Sequence, residues 1–171
     1  MTDKLENPTD FEDLLENNRH YADNFHMAGF DGIAQSGVAI VTCMDSRIDP
    51  LGIVGLEPGD AKIFRNPGGR ITVQALEALV LSTYLLNVNR ILVVPHTRCA
   101  MGKNTENELR STIGELAGKD ASWMSFSVVD DQEQKLREDL KTVRSHPLIP
   151  DSTLVGGFIY DVDTGLLREV K

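Results

Sequence analysis

Short apolar runs and longer, periodically apolar stretches follow one another along the chain. The runs 38–41 and 91–94 are continuously apolar, which is typical of strands buried on both faces of a sheet. Further strands are predicted at 61–64, near 126–129 and at 154–160. A turn at 163–165 follows the last of them and predicts a hairpin at the edge of the sheet.

Stretches with helical periodicity separate these strands. Apolar positions from Phe11 to Phe25 predict an N-terminal helix that starts near Thr9, where Thr9 and Glu12 form a capping-box pattern. The stretch 72–87 is apolar on several sides, which predicts a well-buried helix. Two further helices are predicted, one from about Thr105 to a stop at Gly118 and one around Leu136, Leu140 and Val143.

This alternation predicts one α/β domain over residues 1–171, with a mostly parallel central sheet flanked by helices and a helical arm at 1–35. Ligands bind such sheets beyond the carboxyl ends of the strands. Polar segments that begin at Cys43, Arg65 and His96 each follow a predicted strand. We therefore expect the three segments to converge at one edge of the sheet.

Charge and composition narrow the classes of partner. Lys and Arg together number 17 and Asp and Glu 26, so the net charge of −9 disfavours a nucleic-acid partner. The N-terminus lacks the basic and apolar regions of a secretory signal, and no apolar run approaches the roughly 20 residues that span a membrane. A cytoplasmic protein without membrane contact is expected. Two cysteines are too few for a disulfide framework.

Cys43 and the His-x-x-Cys pair at 96 and 99 are the candidate metal ligands. Two thiolates and one imidazole make a three-ligand zinc site with a fourth position open for water, which is the pattern of catalytic zinc. A helix start near Cys99 would support its thiolate form. Two alternatives stay open at this point: a hydrogen-bonded histidine beside a buried cysteine, and a Cys43–Cys99 disulfide.

Asp45 and Arg47 share one side of the segment that follows Cys43. Arg47 can keep Asp45 ionised, and the carboxylate can then accept a hydrogen bond from zinc-bound water. That water ionises near neutral pH and can attack a small carbon electrophile such as carbon dioxide. An ordinary surface ion pair is the alternative interpretation.

Gly68 and Gly69 form a glycine-rich turn that enters a helix. Such a turn can cradle phosphate, but the spacing fits neither phosphate-loop motif. We therefore expect a close-packed turn that brings backbone to the metal site, with Gly68, Gly69 and Arg98 as candidates for the substrate pocket.

In this order, C-x-D-S-R at 43–47, R-N-x-G-G at 65–69 and H-x-x-C at 96–99 resemble the β-class carbonic anhydrases, in their compact prokaryotic and fungal branch. The resemblance implies a zinc enzyme that hydrates carbon dioxide, with Cys43, His96 and Cys99 as ligands and Asp45–Arg47 as a gating dyad. It implies that Asp45 can close onto the metal. It also implies homodimers or homotetramers, with the N-terminal helix packed on a partner subunit.

Two departures from the family's H-x-D-C-G pattern leave the substrate open. Arg98 replaces the acidic residue and Ala100 replaces the glycine. Because relatives of the family hydrolyse carbonyl sulfide or carbon disulfide, a carbonyl sulfide hydrolase is one alternative. A non-catalytic domain that zinc only stabilises is another.

Overall fold

The computed structural model describes residues 10–171, which fall into two units, 10–31 and 32–171. The first unit contains helix α1, Glu12–Asp23. The amide of Glu12 donates to the Asp10 carboxylate at 3.1 Å, while the predicted cap Thr9 lies outside the described residues. No residue of α1 is buried, and Leu14 and Leu15 are 59% and 53% exposed. The predicted helix is confirmed, and its apolar stripe faces solvent.

Five strands make the sheet of the second unit. They are β1 (Val38–Cys43), β2 (Ala61–Asn66), β3 (Arg90–Val94), β4 (Leu154–Tyr160) and β5 (Leu167–Val170). Their order is β2-β1-β3-β4-β5, and only the β4–β5 pair is antiparallel. The mostly parallel sheet and the edge hairpin are therefore confirmed. Because β1 lies between β2 and β3, the carboxyl ends of these three strands are adjacent.

The second unit also contains three helices, α2 (Val73–Leu85), α3 (Glu106–Ala117) and α4 (Gln132–Arg144), of which α2 and α4 pack on the sheet. Thr105 and Glu108 form a reciprocal capping box at the start of α3, and Gly118 ends it in a left-handed conformation. Two short 3-10 turns, Gly52–Val54 and Ala100–Gly102, had no signal in the apolar pattern. No helix in residues 10–171 has both the length and the hydrophobicity that a membrane crossing requires.

The main core lies between β1 and β3 on one side and α2 and α4 on the other. Val41 and Val93 contribute from the strands, and Leu79, Leu136 and Leu140 from the helices. All five side chains are at most 2% exposed. This rigid centre carries the two strands from which the polar segments at 43 and 96 extend.

Two sequence-based predictions were wrong. The first is that α2 is well buried: Val73, Tyr84 and Leu85 are at least 60% exposed, because only one face of the helix packs on the sheet. The second is the strand near 126–129, which forms no ladder. The Phe126 amide donates to the Glu106 carboxylate and the Val129 amide to the Met101 carbonyl. These partners take amide hydrogens that strand pairing would need.

Candidate metal centre

Cys43, His96 and Cys99 meet beyond the carboxyl ends of β1 and β3. Cys43 is the last residue of β1, and His96 follows β3 by two residues and forms an isolated bridge with Tyr160. The two sulfurs and an imidazole nitrogen lie within 4.8 Å of one another, and all three residues are buried. The sulfurs themselves are 4.0 Å apart. The expected convergence is therefore present in the structure.

The imidazole of His96 is oriented for metal binding. Its Nδ1 lies 2.8 Å from the carbonyl oxygen of Thr97, and since a carbonyl only accepts, Nδ1 carries the hydrogen. Nε2 then holds a lone pair. Among the buried side-chain nitrogen and oxygen atoms of residues 10–171, this Nε2 alone has no hydrogen-bond partner. An orphaned acceptor beside two thiols fits zinc, which binds neutral imidazole together with thiolates.

The two thiols titrate as a pair. The hydrogen bond from Cys99, with smaller contributions from His96 and backbone amides, lowers the pKa of Cys43 to about 4. The same bond, together with burial, raises the pKa of Cys99. The pair thus shares one proton, which a divalent cation would replace. The expected support of the Cys99 thiolate by a helix dipole is absent, because only the three-residue turn Ala100–Gly102 follows it.

Asp45 faces the candidate metal ligands and is held by Arg47. The Arg47 side chain donates to both carboxylate oxygens, from Nε at 2.9 Å and from Nη2 at 2.7 Å, and its backbone amide donates at 2.9 Å. These bonds keep the pKa of Asp45 well below its usual range. Oδ2 of Asp45 lies 3.8 Å from Nε2 of His96. An ionised acceptor therefore stands beside the imidazole lone pair.

Arg65 fixes the main chain of this segment. Its Nε donates to the Cys43 carbonyl at 2.8 Å and its Nη2 to the Asp45 carbonyl at 2.6 Å. Gln132 of α4 does the same for the other ligand segment, since its Nε2 donates to the His96 carbonyl at 2.7 Å. The polar segment at Arg65 pointed to this edge of the sheet. Gln132 had no such signal.

The glycine turn packs directly on Cys43. The Gly68 amide donates to Cys43 Sγ at 3.3 Å. At Gly69, φ is +66° and an added Cβ would lie 3.0 Å from the Cys43 backbone nitrogen. Both contacts are with a candidate metal ligand, as expected of a close-packed turn, and neither resembles a phosphate cradle.

A pocket of about 220 Å³ opens beside the cluster. It is lined by Cys43, Met44, Asp45, Pro67, Gly68, Cys99, Ala100 and Met101. Gly69 is not among the residues that line it. Arg98 does not line the pocket, because its Nη2 donates to Asp163 Oδ1 at 2.5 Å on the exposed surface. The backbone of Arg98, between the candidate ligands His96 and Cys99, is left-handed with a φ of +55°.

Comparisons with known proteins agree with this geometry. The family model described as carbonic anhydrase matches residues 38–167. Beta-carbonic anhydrase 1 of Mycobacterium tuberculosis is 32% identical over 163 residues, which cover 93% of this chain and 96% of that protein. A carbon disulfide hydrolase of Acidithiobacillus thiooxidans is 32% identical over 151 residues, covering 75% and 74%.

The fold is also similar to solved structures. The crystal structure of carbonic anhydrase from Streptococcus mutans superposes with a TM-score of 0.87 at 37% identity, and the alignment covers 97% of this chain and 100% of that one. The three motifs of the sequence and the arrangement of the five strands thus lead to the same group of proteins.

Proposed function

The chain belongs to the β-class carbonic anhydrase family, and from this membership we propose that it hydrates carbon dioxide to bicarbonate and a proton at a zinc ion held by Cys43, His96 and Cys99. The observation that carries the proposal is the buried, unpartnered Nε2 of His96 among two thiols and beside Asp45. When bound there, zinc would lower the pKa of water enough to supply a nucleophile near neutral pH.

The protein's own residues would orient that nucleophile. Asp45 is ionised and has both oxygens engaged by Arg47, so it can only accept a hydrogen bond and selects a partner that carries a proton. Met44, Pro67 and Met101 give the pocket an apolar wall, which suits a small, linear and uncharged substrate. Product bicarbonate, by contrast, bears a charge that this wall disfavours.

Stopped-flow measurement of carbon dioxide hydration by the zinc-loaded protein tests the proposal. We expect Asp45→Asn to keep the fold and the metal while losing turnover, since the amide presents a donor where an acceptor is needed. Asp151→Asn, at an exposed turn before β4, is the matched control and should behave as the wild type. No rate above buffer for the fully loaded wild type at alkaline pH would contradict the proposal.

The same experiment addresses a non-catalytic, zinc-stabilised domain. If zinc only supports the fold, neither wild type nor Asp45→Asn has activity, and both have the same metal content and thermal stability. Loss of turnover in Asp45→Asn with full metal content rules that alternative out.

A sulfur-containing substrate is the second candidate function. The 32% identity to a protein named carbon disulfide hydrolase favours it, and carbonyl sulfide would undergo the same attack at carbon. Arg98 adds no support, because it pairs with Asp163 outside the pocket. Hydrogen sulfide release from carbonyl sulfide and from carbon disulfide, measured against carbon dioxide hydration on one preparation, separates these activities. Fast hydration with negligible sulfide release would exclude the second candidate.

We also propose that the chain forms homodimers or homotetramers and acts in the cytoplasm. The exposed apolar residues of α1 and of α2 support self-association. A reducing compartment would keep two sulfurs that lie 4.0 Å apart available as ligands.

A further inference from the structure

A buried ion pair lies behind the glycine turn, outside the proposed chemistry. Arg70 donates from Nε to Asp139 Oδ2 at 2.6 Å and from Nη2 to Oδ1 at 3.0 Å. The Asp139 side chain is 6% exposed and that of Arg70 19%, so within residues 10–171 this is the most enclosed arginine–carboxylate pair. Burying two charges is costly. A largely buried pair that is joined by two hydrogen bonds behind the glycine turn therefore suggests a positioning role.

Arg70 is connected to the metal ligand through the turn that it ends. Its backbone amide donates to Asn66 Oδ1 at 2.8 Å, and Asn66 Nδ2 donates back to the Arg70 carbonyl at 2.7 Å. Between these anchors, the Gly69 amide donates to the Asn66 carbonyl at 3.2 Å and the Gly68 amide to Cys43 Sγ at 3.3 Å. The direction of the Gly68 amide thus depends on where Arg70 is held.

We infer that the Arg70–Asp139 pair positions the Gly68 amide on the Cys43 sulfur and thereby tunes Cys43 as a metal ligand. An N–H donor on a thiolate withdraws electron density from the sulfur and fixes the direction of its lone pairs, which changes how strongly it binds a cation. Arg70 and Asp139 are positioning residues, since neither touches the metal ligands directly. The inference rests on the metal site of the proposed function and is independent of the substrate.

Helix α4 supports the second ligand segment from the same face. Gln132 and Asp139 are seven residues apart, two helical turns, and Leu136 lies between them in the core. Gln132 holds the carbonyl of His96, while Asp139 holds the turn under Cys43. One rigid helix face therefore fixes the backbone at both ligands, so a change at Asp139 is transmitted to the site instead of being absorbed by a loop.

The test compares Asp139→Asn and Arg70→Lys with Glu138→Gln. Glu138 is next to Asp139 on α4, is exposed and bonds Lys135 and Gln134, so its variant removes the same charge without touching the turn. Each protein is loaded with cobalt(II) to record the thiolate-to-metal charge-transfer bands, and with zinc to measure release to a chromophoric chelator. Neither readout involves a substrate.

We expect shifted charge-transfer bands and zinc release about tenfold or more faster in Asp139→Asn and Arg70→Lys, the range found for partners of metal ligands. Glu138→Gln should match the wild type within about twofold. If Asp139→Asn does not fold, Arg70→Lys carries the test, since it keeps the charge and loses only the forked bond. Wild-type bands and release rates in the folded variants would overturn the inference alone. A wild type that binds neither metal would overturn the proposed function as well.

Discussion

Asp45 is a carboxylate whose negative charge is stabilised mainly by Arg47. Three hydrogen bonds from Arg47 hold the pKa of Asp45 in the folded protein below its ordinary value of about 3.9. A depressed pKa stabilises the fold above the unfolded pKa, and this contribution disappears as the pH falls through the folded value. Asp45 is therefore ionised at neutral and alkaline pH.

Arg47→Gln tests this linkage. We predict that the variant is less stable than wild type at pH 6 and that the difference shrinks as the pH falls below about 4. In that range Asp45 of the unfolded wild type takes up a proton, whereas folded Asp45 beside Arg47 stays ionised. Urea unfolding from pH 6 to pH 2.5 measures it. Arg19→Gln, in an exposed pair on α1, should show a flatter difference. A constant difference for Arg47→Gln over the whole range would contradict the assignment.

Gly69 is a residue at which one additional carbon atom should lower the stability of the protein. We predict that Gly69→Ala costs about 1–3 kcal/mol more stability than Gly118→Ala, because the new Cβ would press on the Cys43 backbone nitrogen. Gly118 has a similar φ, +62°, with nothing within 4 Å of an added Cβ, so it controls for backbone strain. Denaturant unfolding gives the difference, and zinc content should fall only in Gly69→Ala.

At the scale of elements, α3 and the segment that follows it are joined by one carboxylate. Glu106 accepts from the Phe126 amide at 2.9 Å, Ser125 Oγ at 3.0 Å and Arg110 Nη2 at 2.9 Å. The Phe126 amide and the Ser125 hydroxyl lower the pKa of Glu106. These bonds explain why a stretch with an apolar pattern is held as a loop.

Glu106→Gln should loosen that loop. An amide accepts more weakly than a carboxylate, so we predict faster hydrogen exchange in peptides covering 121–129, most of all at the Phe126 amide. Glu115→Gln is the matched control on the same helix, because within residues 10–171 the Glu115 carboxylate accepts a hydrogen bond only from Ser111. The difference should narrow only at acidic pH, where the wild-type carboxylate is finally protonated, because the Phe126 amide and the Ser125 hydroxyl lower the pKa of Glu106. Equal exchange in both variants at neutral pH would contradict the role of Glu106.

The sequence correctly predicts those helices and strands that are determined by residues within or directly beside them. The apolar runs of β1 and β3 and the Thr105, Glu108 and Gly118 signals of α3 lie within a few residues of what they determine. The segment 126–129 differs, because its amides are taken by residues about 20 or more positions earlier. For α2, the apolar composition indicated burial on several sides. In the structure only one face packs on the sheet, so the other apolar residues are exposed.

At the scale of the whole molecule, one apolar face of α2 is exposed to solvent in the single chain. On α2, Val73, Leu81, Tyr84 and Leu85 are between 48% and 78% exposed and recur at helical spacing. We predict that the protein sediments as a dimer or larger, and that Leu81→Lys combined with Leu85→Lys shifts it towards the monomer, because lysine is costly to bury in an interface. Asn107→Lys, at an exposed polar position of α3 outside this face, should leave the mass unchanged. A monomeric wild type at micromolar concentration would contradict the prediction.

Some residues of the site could be predicted from the sequence, whereas others could be identified only from the three-dimensional structure. Cys43, Asp45 and His96 follow strands that a parallel sheet must bring to one edge, so their proximity was predictable. Gln132 and Asp139 were not, because their partners are 36 and 69 positions away and only the packing of α4 joins them. Arg98 lies inside a ligand motif, yet its left-handed backbone directs it to Asp163.

The strand order has a consequence for how the protein is made. β3 pairs with β1 although β2 and α2 come between them in the chain, so Cys43 gains its partners His96 and Cys99 only after that crossover has closed. A nascent chain that ends before β3 contains one of the three ligands. Uptake of the proposed zinc ion would therefore be a late step of biosynthesis, and zinc retained by the purified protein would report that β1 and β3 have paired in their native order.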